Sequence, residues 1–252
     1  MLGHELFGGG PRRVIVLNDW LCDTSTWEDV RAYLDVDAVT WAFADLRGYG
    51  RSREQTGSFT LAEAAADVVA LADRLGWDRY TVVGHSMSTL VAAHVAQTQP
   101  SHVEKAILVT PPPPRGFGYD DAIHARLREV ALGDDAMRAK ALDMMLGDRL
   151  GAAWKRFKIQ RWRATSEPAA VAAYVAMFGV DGMPDPVTPI TCPVLAIAGE
   201  HDAPPMRSEA VARAFAALCP SLTTVAIAES GHYPMQETPP LFAASVQRFL
   251  MP

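Results

Sequence analysis

Cysteine is scarce in this chain, and no Cys-x-x-Cys pair occurs. The three cysteines, Cys22, Cys192 and Cys219, are odd in number and widely spaced. This pattern argues against a disulfide framework, and the seven histidines show no ligand-type spacing. We therefore expect reduced thiols in a cytoplasmic protein with no metal site.

Long apolar runs and an excess of positive charge are also missing. No apolar run approaches the ~20 residues that a membrane-spanning helix needs. The stretch Met1–Phe7 lacks the basic and apolar regions of a secretory signal. The formal net charge is −6, which argues against a polyanionic partner. We expect neither a membrane nor a nucleic acid as partner.

Apolar β-branched runs alternate with helical patterns along most of the 252 residues. A capping box at Thr60–Glu63 opens the clearest helix, which Gly76 ends. Alternation of this kind is typical of an α/β fold with a mostly parallel central sheet flanked by helices. The predicted strands cover residues 13–17, 39–43, 80–84, 105–110, 192–199 and 222–228.

The alternation breaks in the middle of the chain, after the prolines at 111–114. From residue 115 to 187 there are helical patterns and no convincing strand. We predict a core made of residues 1–114 and 188–252, interrupted by a helical segment over 115–187. Large apolar side chains are expected to form the core of this segment and in part to line a pocket: Phe117, Tyr119, Met144, Met145, Met177 and Phe178.

Within that segment, residues 150–163 carry five basic side chains and no acidic one. One interpretation is a solvated helix face whose aromatic side chains pack downward. The alternative is that Arg161, with Trp154 nearby, contacts an anionic group of a substrate. The sequence leaves both interpretations open.

Polar residues with a shared chemistry follow three of the predicted strands. Ser86 stands in a strand–turn–helix pattern, Asp202 follows a later strand, and His232 follows the last. A serine hydroxyl is a weak nucleophile until an imidazole removes its proton, and a carboxylate must orient that imidazole. The carboxyl ends of parallel strands meet at one edge of a sheet, so these groups are candidates for one site.

These motifs resemble those of the α/β-hydrolase family in sequence and in chain order. Gly84-His-Ser86 resembles its nucleophile elbow, Gly199-Glu-His-Asp202 its acid turn, and Ser230-Gly-His232 its histidine loop. The resemblance implies that Ser86 is the nucleophile, His232 the general base and Asp202 the orienting acid. Asp202 is favoured over Glu200 because its offset from the strand fits. It also implies that the helical segment is a cap inserted over the active site.

The chain departs from the family pattern at two places. Asn18-Asp19 replaces the usual His-Gly of the oxyanion loop, although the aromatic Trp27 is retained. The resemblance implies that the backbone N–H groups of Trp20 and Met87 form the oxyanion hole. The Trp20 side chain is equally compatible with simple packing. Ser88-Thr89 replaces the usual Gly-Gly after the nucleophile, and the threonine predicts slightly altered packing or a hydroxyl directed into the site.

The resemblance implies a serine hydrolase that cleaves a carboxylic ester or lactone through an acyl-enzyme, without a cofactor. The expected partner is a small-molecule substrate, and the sequence predicts no oligomeric state. Alternatives on the same scaffold are a carbon–carbon bond hydrolase, a perhydrolase, or a receptor that binds a ligand without turnover. Dehalogenase and epoxide hydrolase chemistry is disfavoured, because those relatives have aspartate where this chain has Ser86.

Overall fold

A twisted β-sheet runs through the part of the chain that the computed structural model describes, residues 1–146, 149–184 and 188–251. Its strands are β1 His4–Phe7, β2 Arg12–Leu17, β3 Val39–Ala44, β4 Tyr80–His85, β5 Val103–Val109, β6 Val194–Gly199 and β7 Leu222–Ile227. They lie in the order β1-β3-β2-β4-β5-β6-β7, and every neighbouring pair except β1 and β3 is parallel. The predicted mostly parallel sheet is confirmed.

The central strands are buried along their whole length. Every residue of β3, β4 and β6 is buried, as expected of apolar strands covered on both faces. The sequence did not predict β1, because it is only four residues long and half-exposed, so it carries no apolar run. It pairs antiparallel with β3 at the edge of the sheet.

The helices of the core lie between and after the strands along the chain. They are α1 Leu61–Leu75, α2 Ser88–Thr98, α7 Ser208–Phe215, α8 Pro234–Glu237 and α9 Pro239–Leu250, while Thr24–Tyr33 is a 3-10 helix. Thr60 caps α1 by accepting a hydrogen bond from the Glu63 N–H, and Gly76 ends it with a φ of 67°. The start and end predicted for this helix are confirmed.

Between β5 and β6, the described residues contain helices and no strand of the sheet. These are α3 Asp121–Leu132, α4 Asp135–Leu146, α5 Ala152–Thr165 and α6 Pro168–Ala176, followed by a π-helical turn at Met177–Asp181. Residues 185–187, where the predicted segment ends, lie outside the described residues. The division into core and cap therefore stays a prediction. Among the described helices, none is long and apolar enough to cross a membrane.

The carboxyl ends of β4, β6 and β7 open onto the same edge of the sheet. The loops that follow β6 and β7 touch directly, and this contact requires glycine. A Cβ atom on Gly199 would lie 2.0 Å from the carbonyl oxygen of Gly231. The two loops carry Asp202 and His232, so their close approach brings these side chains together.

Candidate active site

Ser86 lies on a sharp turn between β4 and α2. Its φ is 53°, a conformation that residues other than glycine rarely adopt. Helix α2 packs so closely on β4 that a Cβ atom on Gly84 would lie 2.3 Å from the carbonyl oxygen of Ser88. The turn lifts the Ser86 hydroxyl out of the sheet and into an open cavity.

A continuous series of hydrogen bonds joins the three predicted site residues. The Oγ atom of Ser86 lies 2.9 Å from Nε2 of His232. Nδ1 of His232 lies 3.0 Å from Oδ2 of Asp202. Asp202 and His232 are 1% and 2% exposed, so the carboxylate and imidazole interact away from bulk water. The structure thus brings together residues that are up to 146 positions apart in the chain.

The surroundings of His232 favour its charged form. Burial disfavours the imidazolium, but the charge of Asp202 and its hydrogen bond outweigh that effect. The carboxylates of Asp19 and Glu237 add to the attraction. The pKa of His232 consequently lies above its ordinary value of 6.5.

The departure from glycine at position 88 is absorbed by the turn itself. The Ser88 hydroxyl accepts a hydrogen bond from the His85 N–H at 2.9 Å and donates one to the His85 carbonyl at 3.1 Å. The Thr89 hydroxyl donates to the Ser86 carbonyl at 2.7 Å. Both hydroxyls therefore stabilise the elbow backbone, and the expectation of one directed into the site is wrong.

The backbone N–H groups of Trp20 and Met87 lie beside the cavity. Neither donates to an acceptor within residues 1–146, 149–184 or 188–251. Asn18, which stands at the position of the usual histidine, braces this loop. Its side-chain amide donates to the carbonyls of Asp19 and Cys22 at 2.8 and 2.9 Å, and its Oδ1 accepts from the Leu46 N–H.

The Trp20 side chain both packs and faces the cavity. Its indole N–H donates to the Val171 carbonyl at 2.8 Å, and its ring contacts those of Trp162 and Phe178. The Tyr49 hydroxyl donates a hydrogen bond to the backbone carbonyl of Trp20 at 2.7 Å. Trp20 thereby ties the loop after β2 to helix α6.

Sequence reasoning missed a buried ion pair beneath this loop. Lys158 on α5 is 1% exposed, and its Nζ lies 3.1 Å from Oδ2 of Asp19. The interpretation of residues 150–163 as a solvated helix face is wrong for this residue. The five basic side chains gave no signal that one of them points inward, because α5 lacks a clear apolar stripe.

A cavity of about 510 Å³ opens above Ser86. Its walls come from the loops after β2, β4, β6 and β7 and from the helical segment between β5 and β6. Apart from Asp202 and His232, no lining side chain among the described residues carries a charge at neutral pH. Ser86 contributes its hydroxyl. The remaining lining residues are Trp20, Met87, Pro112, Phe117, Tyr119, Leu127, Ala141, Met144, Met145, Phe178, Ala203, Pro205 and Met206.

Trp154 and Arg161, the other substrate-contact candidates, lie away from this cavity. Trp154 packs its ring against Tyr233. Arg161 lies in a separate polar cleft, where it donates to Ser25 at 3.0 Å and to Asp23 at 2.7 Å. Arg161 already has a carboxylate partner within the protein, which gives no support to its predicted contact with a substrate.

No metal cluster is evident in the described part of the chain. There, no group of three or more His, Cys, Asp or Glu side chains is arranged to hold a metal ion. The three cysteines are buried free thiols. Burial raises the pKa of the Cys22 thiol to about 12.

Known protein sequences relate to this chain over much of its length. A family model of the α/β hydrolase fold matches residues 26–239. The pimeloyl-[acyl-carrier protein] methyl ester esterase of Xanthomonas campestris is 30% identical, with 98% of this chain and 97% of that protein covered. The dihydrolipoyllysine-residue acetyltransferase component of the acetoin cleaving system of Cupriavidus necator is 34% identical over 48% of this chain. That match spans 31% of the acetyltransferase component, about a third of its length.

Solved structures share the whole architecture at low identity. The bromoperoxidase from Bacillus anthracis has a TM-score of 0.87 at 18% identity, covering 98% of this chain and 94% of its own. The enol-lactonase from Burkholderia xenovorans has a TM-score of 0.81 at 23% identity, covering 99% and 96%. Likeness at these identities establishes the fold alone. Together with the family match over most of the sequence, it shows that this chain is a member of the α/β-hydrolase fold family.

Proposed function

We propose that this protein is a serine hydrolase that cleaves uncharged carboxylic esters or lactones. The observation that carries the proposal is the Ser86–His232–Asp202 series of hydrogen bonds, at 2.9 and 3.0 Å, opening into an apolar cavity. The Xanthomonas relative is named as a methyl ester esterase and matches nearly the whole chain, which supports an ester substrate.

In the proposed mechanism His232 is the general base. Its Nε2 accepts the proton of the Ser86 hydroxyl as Oγ attacks the acyl carbon, and Asp202 holds the ring with Nδ1–H directed at its carboxylate. The imidazolium then gives its proton to the leaving alkoxide, which leaves an acyl-enzyme on Ser86. Water, deprotonated by His232, attacks that ester and releases the acid.

The proposed oxyanion hole consists of the N–H groups of Met87 and Trp20. Met87 follows the nucleophile at the N-terminal end of α2, where backbone N–H groups lack helical partners. Trp20 belongs to the loop after β2 and, like Met87, lines the cavity. Each donor directed at the developing oxyanion contributes roughly 3 kcal/mol to lowering the barrier in comparable sites.

The helical segment is proposed to act as a cap that selects the substrate. Helices α3 and α4 contribute Leu127, Ala141, Met144 and Met145 to the cavity. Methionine and aromatic walls favour a flexible apolar acyl or alcohol group, because burial of apolar surface is worth about 25 cal/mol per Å².

The same walls disfavour one alternative activity. A carbon–carbon bond hydrolase acting on a diketone-type acid needs a cation to hold the substrate carboxylate. No Arg or Lys lines the cavity among the described residues. An uncompensated carboxylate in this apolar space would carry a desolvation cost of several kcal/mol.

The proposal is tested by intact-protein mass spectrometry after incubation with a fluorophosphonate. We expect a single adduct on the wild type and on Ser101→Ala, an exposed serine used as a matched control. We expect none on Ser86→Ala, which also loses hydrolysis of short-chain aryl esters. A folded wild type without adduct or turnover would refute the hydrolase and favour the ligand-binding receptor. An adduct that persists in Ser86→Ala would refute the assigned nucleophile.

A further inference from the structure

Lys158 reaches from the helical segment into the centre of the molecule. Its Nζ donates to Oδ2 of Asp19 at 3.1 Å and to Oγ1 of Thr26 at 2.9 Å. It also lies 4.2 Å from the centre of the Tyr233 ring, next to His232 in the chain. A single ammonium group therefore contacts both loops that carry the proposed oxyanion donor and the proposed base.

Asp19 is the organising residue of the loop after β2. Its Oδ1 accepts the N–H groups of Leu21 and Cys22 at 2.7 and 2.8 Å. Its Oδ2 faces the Lys158 ammonium and the Thr26 hydroxyl. These contacts close a tight turn around Trp20 without the glycine that the family has at position 19.

The peptide between Asp19 and Trp20 is held at its carbonyl end. Its carbonyl accepts a hydrogen bond from the Asn18 amide at 2.8 Å. In a trans peptide the C=O and N–H bonds point in opposite directions, so the Trp20 N–H is directed away from Asn18. The turn closed by the Asp19 side chain keeps that peptide plane from rotating.

A carboxylate at this position also has an electrostatic consequence. Asp19 is adjacent to the proposed oxyanion donor and is 1% exposed. Burial raises the pKa of Asp19, but the Lys158 charge outweighs it, so the carboxyl pKa lies below its usual value. The pKa of Lys158 is raised in turn by Asp19, against the effect of burial. Both groups are therefore charged at neutral pH, and their fields largely cancel.

We propose that Lys158 is a positioning residue of the oxyanion hole, which holds the Asp19 turn in place and cancels the Asp19 charge beside the developing oxyanion. This role rests on the proposed serine hydrolase function. This role explains how the chain tolerates Asn18-Asp19 in place of His-Gly. A buried aspartate at position 19 needs a cation beside it, whereas a glycine at that position does not. The proposed role also assigns the helical segment a part in the chemistry, besides covering the cavity.

The test is a mutant cycle made of Lys158→Met, Asp19→Asn and the double variant, assayed with a neutral aryl ester. Met matches the length of the lysine stem and removes its charge. We expect Lys158→Met to lower kcat by about tenfold or more, with little change in KM, because it displaces an oxyanion donor whose complete removal costs about 100-fold to 1,000-fold in comparable sites. The double variant recovers most of kcat, because no uncompensated carboxylate remains. The control is Lys155→Met on the same helix as Lys158, which breaks a surface pair with Asp143 of α4 and keeps the wild-type kcat.

The acid limb of kcat/KM against pH provides a second readout, which a purely structural role would not move. The charged and titratable groups facing His232 are Asp202 after β6, Asp19 after β2, Glu237 on α8, His85 at the end of β4 and the neighbouring Tyr233. Lys158 on α5 contacts two of these groups, Asp19 and Tyr233. Removing Lys158 alone leaves the Asp19 charge unopposed and moves the limb to higher pH. Removing Asp19 alone moves the limb to lower pH, because the Lys158 charge is then unopposed, and removing both charges returns it close to the wild-type position.

The outcomes separate this inference from the function it rests on. Wild-type protein without esterase activity overturns both. An active wild type with a folded Lys158→Met variant of unchanged kcat and unchanged acid limb overturns the role of Lys158 alone. If Lys158→Met does not fold, Asp19→Asn and the double variant decide. A double-variant limb at higher pH than the limb of Asp19→Asn supports the inference, and identical limbs in these two variants overturn it.

Discussion

His85 Nε2 lies 2.7 Å from the backbone carbonyl oxygen of His232. A carbonyl only accepts, so His85 carries its proton on Nε2. Burial lowers the pKa of His85 to about 3, and the ring is therefore neutral. His85, which precedes the proposed nucleophile Ser86, thus anchors the backbone of His232, the proposed base. The Thr110 hydroxyl, at 3.3 Å, is the second donor to the same carbonyl.

Removing this anchor is expected to impair turnover. His85→Phe keeps the aromatic volume but leaves the His232 carbonyl with the longer Thr110 bond alone. We expect kcat to fall about tenfold and unfolding to require about 1 to 3 kcal/mol less, as for other buried groups that lose a partner. His85→Gln, which retains a donor, should recover part of both losses. Steady-state kinetics and urea unfolding measure them, and wild-type behaviour of His85→Phe would contradict the role.

The buried neutral His85 also predicts an acid-dependent loss of stability. Its pKa is about 3 in the folded protein, below the ordinary value of 6.5. A lowered pKa means that the unfolded chain binds the proton first, so stability is lost as the pH falls from 6.5 towards 3. Relative to His85→Gln, the wild type should lose up to about 1.4 kcal/mol more per pH unit across that window. The free energy of unfolding is measured by urea unfolding at each pH. If it changes equally with pH in the wild type and in His85→Gln, the prediction is refuted.

Hydrolysis is expected to follow the titration of His232. Its pKa lies above 6.5, and a general base must be unprotonated, so activity should rise with an apparent pKa above 6.5. Protonated His232 and Asp202 also stabilise the folded protein. This contribution is fully present below pH 6.5 and is lost as the pH rises through the pKa of His232 in the folded protein. Profiles of kcat/KM on a neutral ester measure the limb. Asp202→Asn should lower both the apparent pKa of this limb and the activity. An unchanged apparent pKa would contradict Asp202 as the partner of His232.

The volume of the cavity predicts chain-length selectivity. Ala141 on α4 is buried and faces the cavity, so Ala141→Phe fills part of the 510 Å³. We expect the ratio of kcat/KM for octanoyl over acetyl aryl esters to fall by about tenfold or more, as for other apolar pockets that lose room. Ala136→Phe, at an exposed position of the same helix, serves as the control and keeps the wild-type ratio. Equal losses on both esters would argue against a binding role for this wall.

The cysteines are expected to be inert in the native protein. Burial raises the pKa values of Cys22 and Cys219 to about 12, and it also raises the pKa of Cys192. Thiolate is the reactive form, so a disulfide reagent at pH 8 should modify none of them before unfolding and all three after it. Rapid labelling of folded protein would show that one of these thiols is accessible.

Local patterns predicted the strands and helices that position the site. Apolar runs ending in Gly84, Gly199 and the loop before His232 are short-range signals, since each strand and its turn lie within about ten residues. The family resemblance added the roles of Ser86, Asp202 and His232, which stay predictions that the labelling experiment tests. The sequence did not predict the half-exposed edge strand β1, because this strand has no apolar run.

The sequence by itself determined the α/β fold, its parallel sheet and the chain order of the serine, acid and histidine motifs. These follow from periodicity and turn chemistry, which are encoded over short distances. Only the tertiary structure decided that Lys158 is buried against Asp19, 139 positions away, and that Arg161 faces Asp23 instead of the cavity. The direction in which one charged side chain of a helix points depends on what packs against that helix, and no local pattern encodes it.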